Sequence, residues 1–325
     1  MLVALSPALL SRCWFLAGPT ASGKTAVSVE LSGRLNAEVV ALDSMSLYRG
    51  MDVGTAKPDR ATRERVPHHL IDILEPHEEY SLAEYLQAAE QCCQAIVDRG
   101  RVPLFVGGTG LYLRTVLRGL FVGPAANWEL RHAWEEEARV HGAEALHAKL
   151  AAVDAVTAAR LHPNDVRRVI RALEVYEITG RTLSEQQQEG PRPERPQNVY
   201  WLEPDRACLH VRIETRVRQM LDEGWLDEVR KLAAATQPLS RTAGQAVGYR
   251  ELLEYLAGRL SYEVAVRQTV EHTRQFAKRQ YTWFRNLEEC TAVPVTAKDT
   301  PAMIADRILL QSQQSRVVPA DGPLA

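Results

Sequence analysis

Cysteine is scarce in this 325-residue chain: Cys13, Cys92, Cys93, Cys208 and Cys290 are all there is. They form no C-x-x-C pair and no Cys/His quartet, which excludes a disulfide framework and a zinc site and reads as the reduced thiols of a cytoplasmic protein. Long apolar runs are lacking as well. No stretch reaches the ~18 residues that span a bilayer, and the apolar residues 1–10 lack the basic flank of a secretory leader. The chain therefore reads as soluble, with no membrane contact and an N-terminal extension ahead of its first strand. Charge bias is missing too: 39 Lys and Arg stand against 41 Asp and Glu, a net charge of −2. Bulk charge cannot coat nucleic acid, so any such contact must come from local basic clusters. What is left is an ordinary globular composition, 46% hydrophobic and 25% charged. Its length suits more than one domain, or one domain with a large insertion.

One run stands out against that background: Gly18-Pro19-Thr20-Ala21-Ser22-Gly23-Lys24-Thr25, directly after the apolar Trp14-Phe15-Leu16-Ala17. The spacing is that of a phosphate-binding P-loop, G-x-x-x-x-G-K-[ST], between a strand and a helix. Glycines let successive N–H groups converge on one anion. Lys24 adds a point charge, and the helix that follows aims its positive end at the phosphates. Thr25 offers a hydroxyl to Mg2+. The run predicts a polyphosphate site.

The first 120 residues alternate strand and helix. Strand patterns cover 14–17, 38–42 and 102–106, and a Ser81/Glu84 capping box opens a helix that Gly100 stops. Short connections predict a parallel α/β sheet, a P-loop NTPase-like core whose ligands sit at the carboxyl ends of strands. Loops 18–25, 43–46 and 107–110 all follow strand ends, so they should surround one crevice. From about Pro124 the sequence turns Ala-, Glu- and Arg-rich with helical periodicity up to Gly180, and a polar, Pro-rich segment covers 185–197. A strand pattern returns at 198–202, followed by helices. The domain reading is a first core part at 1–123, a helical insertion at 124–197, a second core part with C-terminal basic helices at 198–312, and a tail without fixed structure at 313–325.

Asp43 closes the second strand, and two roles are open to it: holding Mg2+, as in nucleotide hydrolases, or taking a proton from an acceptor. Longer strings add to this. They are Asp43-Ser44-Met45-Ser46-Leu47-Tyr48-Arg49-Gly50-Met51-Asp52-Val53-Gly54-Thr55-Ala56-Lys57-Pro58, Pro67-His68-His69-Leu70-Ile71-Asp72, Gly107-Gly108-Thr109-Gly110-Leu111-Tyr112, Asn164-Asp165-Val166-Arg167-Arg168-Val169-Ile170-Arg171-Ala172-Leu173-Glu174 and Val247-Gly248-Tyr249-Arg250. Together they closely resemble the bacterial tRNA dimethylallyltransferases, over about residues 14–285. The resemblance implies transfer of a dimethylallyl group from dimethylallyl diphosphate to N6 of the adenosine just 3′ of the anticodon in tRNA. It implies that Gly18 to Thr25 hold the donor's diphosphate, with Mg2+ near Thr25; whether ATP also binds stays open. In that scheme Asp43 accepts the N6 proton. Thr20, Lys24 and a basic residue from the later core meet the charge growing on the leaving group. Arg216 is the favoured residue and Arg212 its substitute. Thr109 would hydrogen-bond the flipped nucleotide. Ser46 departs from the Gln that many members carry there, which bears on how the adenine edge is read.

By the same resemblance, Asp43, Ser44, Met45, Ser46, Thr109, Arg131, Gly248, Tyr249 and Arg250 touch the tRNA anticodon stem-loop. Spacing adds a second set. On a helix over 261–285, Arg267, Arg274, Lys278 and Arg285 fall at i, i+7, i+11 and i+18, within about 20° of one direction. Arg279 is counted with them, while Phe276 and Trp283 fall on the opposite, core side. Arg167, Arg168 and Arg171 cluster on the insertion. Two basic elements flanking a crevice suit an RNA hairpin loop with one base turned into a pocket. His68 and His69 read as structural, because adjacent residues point apart on a strand. The chain is expected to act as a monomer. A small-molecule kinase and a prenyltransferase of free adenylate are the competing readings, but neither needs separated Arg clusters or a helical insertion. A non-catalytic RNA-binding ATPase is the third, and the strings around a donor pocket speak against it.

Overall fold

A computed structural model describes residues 2–188, 196 and 198–317. They fall into two compact units. The larger holds residues 5–118, 196 and 198–317 and is built on six strands. Their spatial order is His68–His69, Ala37–Ala41, Val102–Gly107, Trp14–Ala17, Val199–Pro204, Thr291–Val295. Every neighbouring pair is parallel. Trp14–Ala17 and Ala37–Ala41 are buried at every position, as inner parallel strands covered on both faces must be. On one face, helices Lys24–Leu35 and Pro301–Val317 bring Val27, Leu31, Ile304 and Ile308 against Leu16, Val39, Leu104 and Leu202. Each such side chain contributes roughly 1.5–3 kcal/mol on burial. The Ser81/Glu84 capping box forms at the head of Leu82–Asp98: Ser81 Oγ accepts from Glu84 N at 3.2 Å, and Ser81 N donates to Glu84 Oε2 at 2.7 Å. Because all strands run the same way, loops 18–25, 43–46 and 107–110 emerge on one edge of the sheet.

The smaller unit holds residues 2–4 and 119–188 of those described. Leu2–Val3 pairs antiparallel with Leu120–Phe121, so residues expected to be a plain extension form half of a ribbon. Helices Trp128–His141, Ala143–Val153, Ala155–Ala158, Val166–Thr179 and Leu183–Gln188 follow. Leu146, Leu150, Val169, Ile170 and Leu173 form their core. Gly180, at φ 67°, ends Val166–Thr179. The helix Leu183–Gln188 enters the polar, Pro-rich segment that starts at 185; residues 189–195 and 197 of that segment lie outside the described residues. The last helix, Pro301–Val317, crosses the expected boundary at 312, because Ile304, Ala305, Ile308 and Ser312 are all buried along it. The remainder of the predicted tail, 318–325, lies outside the described residues. No helix among the described residues is long and apolar enough to cross a membrane.

Candidate active site

The strand Trp14–Ala17 runs into a loop that tolerates little side chain. Gly18 has φ 154°, and a Cβ there would lie 3.0 Å from Ser22 Oγ and 3.3 Å from Leu202 Cβ. Gly23 caps the helix Lys24–Leu35 at φ 93°, a left-handed conformation that glycine adopts without cost. The Ser22 hydroxyl is 1% exposed and has no hydrogen-bond partner among the described residues. Such an orphan costs about 1–3 kcal/mol, which a ligand oxygen can remove. Lys24 Nζ donates to Gly18 O at 2.8 Å and to Pro19 O at 2.7 Å. Burial, aided by the Arg216 charge and opposed by Asp43, pushes the Lys24 ammonium down to about 7. An arriving anion therefore meets a lysine poised between its two forms and draws it to the charged one. Thr25 is exposed, one residue into the helix. The described residues hold no group of three or more His, Cys, Asp or Glu that could cage a metal. One free hydroxyl fits Mg2+ as an ion that takes most of its ligands from phosphate oxygens and water.

Asp43 stands two residues beyond Ala37–Ala41 in a tight side-chain turn: its Oδ1 accepts from Met45 N at 2.9 Å. Burial raises its carboxyl above the ordinary range. The Met45 N–H, the Lys24 charge, hydrogen bonding from Ser46 and the Arg216 charge all pull against that rise. Thr109 braces the turn, with its Oγ1 accepting from Ser44 N at 3.2 Å and its own N–H donating to Leu42 O at 3.2 Å. The two loops touch so closely that a Cβ on Gly107 would lie 2.0 Å from Leu42 O. Thr109 was expected to bond the flipped nucleotide. Its oxygen already accepts from Ser44, which leaves the hydroxyl proton and one lone pair to offer. Ser46 is 8% exposed and donates to Asp43 O at 3.0 Å. Its hydroxyl closes the turn instead of presenting an edge to a base.

Arg216, on the helix Arg206–Asp222, is the arginine whose charge acts on both Lys24 and Asp43. Burial holds its own pKa below the usual guanidinium value, against the pull of Asp43 and Glu223. Arg212, one turn earlier, shares with Arg216 the wall of a cavity of about 1220 Å³. Of the cradle, only Ala21, Ser22 and Gly23 border that cavity; Lys24, Asp43 and Thr109 do not.

Another part of the cavity wall is the loop 52–58, and the residue that holds it is one the sequence does not announce. Glu228, on the helix Trp225–Ala233, accepts from Asp52 N (2.7 Å), Val53 N (2.8 Å), Gly54 N (3.2 Å) and Tyr249 Oη (2.5 Å). Lys57 Nζ donates to Asp52 at 2.7 Å and Asp72 at 2.5 Å, and Arg63 joins Asp72 at 2.6 Å. Gly54 lies on the Trp225 indole, where a Cβ would come within 2.0 Å of Nε1. Glu228 is more than 170 residues from the loop it binds, and no short spacing could reveal it.

The expected RNA contacts divide. Tyr249 is fully buried with its hydroxyl on Glu228, and a Cβ on Gly248 would meet Trp225 at 2.0 Å, so both brace the loop from inside. Arg250 is exposed and pairs with Glu251 at 2.6 Å. On the helix Tyr262–Arg285, Arg267, Lys278, Arg279 and Arg285 are exposed, whereas Arg274 pairs with Glu214 at 2.9 Å. Ala265, Thr269, Ala277, Gln280 and Phe284 form the buried face. Phe276, expected in the core, is half-buried with the Arg279 guanidinium 5.8 Å from its ring. In the smaller unit, Arg131 grips the buried Glu174 with two bonds of 2.9 Å, and Arg171 holds the same carboxylate. Arg168 pairs with Asp165 at 3.2 Å, and Arg167 is exposed. His69 Nε2 meets Glu38 Oε2 at 2.6 Å and His68 Nδ1 meets Val66 O at 2.6 Å, structural uses of both rings.

A six-stranded parallel sheet with a glycine-bounded loop at its carboxyl edge, and a carboxylate and an arginine acting on the lysine of that loop, defines an α/β protein with a candidate site at the sheet's carboxyl edge. Residues 46–287 match the family described as IPP transferase, and residues 11–70 the isopentenyl transferase family. The chain belongs to the IPP transferase family. It is 48% identical over 299 residues to the tRNA dimethylallyltransferase of Thiobacillus denitrificans, covering 90% of this chain and 94% of that one. The solved full-length tRNA isopentenylpyrophosphate transferase of Bacillus halodurans has a TM-score of 0.70 at 39% identity, covering 94% and 98% of the two chains. A eukaryotic dimethylallyltransferase solved acting on tRNA has a TM-score of 0.77 at 27% identity, covering 92% and 77%.

Proposed function

We propose that this chain is a tRNA dimethylallyltransferase, moving the dimethylallyl group of dimethylallyl diphosphate onto N6 of the adenosine on the 3′ side of the anticodon. The observation that carries the reading is the cluster of Lys24, Asp43 and Arg216, whose charges act on one another beside the cradle. An exocyclic adenine amine is a poor nucleophile because its lone pair is delocalised into the ring. The reaction therefore needs positioning, a base and help for the leaving group. N6 attacks C1 of the donor, the C1–O bond breaks with its electron pair, and diphosphate departs. The N6 proton passes to Asp43, which burial makes a stronger base than an ordinary carboxylate. The backbone N–H groups of Ala21, Gly23, Lys24 and Thr25, with the Thr20 hydroxyl, the Lys24 ammonium and Arg216, meet the charge on the departing diphosphate, a preorganised task worth roughly 3 kcal/mol or more. Thr25 would hold Mg2+ through its hydroxyl, and the ion would supply further neutralisation of the diphosphate charge.

The exposed Arg267, Lys278, Arg279 and Arg285 of one unit, and Arg167 of the other, are where backbone phosphates of the anticodon stem-loop would be tracked. We assign the protein to the cytoplasm, as a monomer. The test is to incubate it with labelled dimethylallyl diphosphate and bulk tRNA, and in parallel with labelled ATP. Label should enter tRNA from the first only, in the nucleoside next to the anticodon as read by mass spectrometry. Label transferred from ATP alone would mean a kinase.

A further inference from the structure

The two loops that prenyl transfer must hold in register are joined by a single side chain. Gln280 projects from the helix Tyr262–Arg285, is 4% exposed, and has no part in the chemistry above. Its Oε1 accepts from Thr20 N at 2.8 Å, and its Nε2 donates to Gly108 O at 2.8 Å. Thr20 belongs to the donor cradle. Gly108 precedes Thr109, whose Oγ1 holds Ser44 N and thereby the Asp43 turn. One planar amide thus spans the donor loop and the base loop, using an acceptor and a donor that an ionised carboxylate or a thioether cannot supply together.

The glycines of the second loop agree with this role. A Cβ on Gly108 would lie 2.3 Å from Gln280 Nε2, and one on Gly110 would lie 2.7 Å from Cγ of Trp283, three residues further along the helix. The loop has no side chain at the two places where the helix presses on it.

We infer that Gln280 is a positioning residue for the transfer reaction: it sets the separation of cradle and base, so the rate of transfer depends on it while the affinity for either substrate does not. The inference rests on the reaction proposed above. Gln280→Met keeps the volume and removes both bonds; Gln280→Glu keeps the bond from Thr20 and loses the one to Gly108. With saturating labelled donor and anticodon stem-loop RNA, the single-turnover rate should fall about 100-fold in the Met variant, as expected for reacting groups displaced by roughly an ångström. Dissociation constants for RNA and donor should change by no more than about threefold. Hydrogen exchange should quicken in residues 18–25 and 107–112 and stay unchanged along the rest of the 262–285 helix.

Gly108→Ala gives an independent reading. Alone it forces the amide aside and slows transfer, but in a Gln280→Ala background, where the clash is gone, it should cost little more. Wild-type transfer in Gln280→Met, unchanged exchange in both loops, strictly additive effects of the two alanines, or exchange quickened throughout the helix would each overturn the inference. A wild-type protein that moves no label would instead strike the reaction itself, and the exchange pattern would still decide whether Gln280 ties the loops.

Discussion

Lys24 makes the donor site sensitive to pH, in a direction that follows from its surroundings. In the free protein, burial holds its ammonium at about 7, with Arg216 adding to the depression and Asp43 opposing it. A bound diphosphate favours the charged form, so the pKa rises in the complex. Below about 7 free and bound protein both carry the proton, and Lys24 adds no pH dependence. Above it, binding must draw a proton from solution. Affinity then falls by up to about tenfold, or ~1.4 kcal/mol, per unit of pH until the pKa of the complex is passed. Calorimetric titration of dimethylallyl diphosphate, in two buffers of different ionisation enthalpy, reads the proton uptake directly. It should be near zero at about pH 6 and close to one per site at about pH 8. Lys24→Arg, charged throughout, should abolish the difference, and the ligand's own ionisation subtracts out because it appears equally in both proteins. No net uptake by the wild type at the higher pH, after that subtraction, would refute the reasoning.

Asp43→Ala should lower transfer by about 10²–10⁴ while RNA affinity stays within a few-fold; near-normal turnover would remove Asp43 from the mechanism. Lys278→Ala should weaken RNA binding and reduce the slope of log affinity against log salt by about one unit, and an unchanged slope would mean that this lysine only meets water. Glu228→Gln weakens the hold on three backbone N–H groups and on Tyr249. Urea denaturation should show a loss of about 1–3 kcal/mol. A wild-type stability would show that the loop holds itself.

What the sequence makes legible is what is encoded locally. The cradle can be read because eight consecutive residues carry glycines, lysine and hydroxyl at fixed spacing. Asp43 can be read because an apolar parallel strand delivers its next polar residue to the carboxyl edge. Ser81 and Glu84 announce a helix start three residues apart, and the structure forms both of their bonds. Glu228 and Gln280 are another matter: their partners in the loops they hold lie 174 to 176 and 172 or 260 residues away, and nothing beside them in the chain hints at the contact. Helical spacing places the basic stripe on the helix Tyr262–Arg285, but it does not tell that Arg274 has Glu214 for company or that Phe276 is only half covered. The buried face is set by what packs against it, and there that includes a polar residue, Gln280, whose amide two backbone groups require.

The most direct test of the account is a crystal structure of the protein with a non-reacting thiolodiphosphate analogue of the donor and an anticodon stem-loop. The account predicts the diphosphate on the backbone N–H groups at the head of the helix Lys24–Leu35 and the loop residues just before it, next to Lys24 and Arg216, with the adenine amine within hydrogen-bonding reach of Asp43. A diphosphate lodged elsewhere, for instance beside Lys57 in the large cavity with the cradle empty, would contradict it.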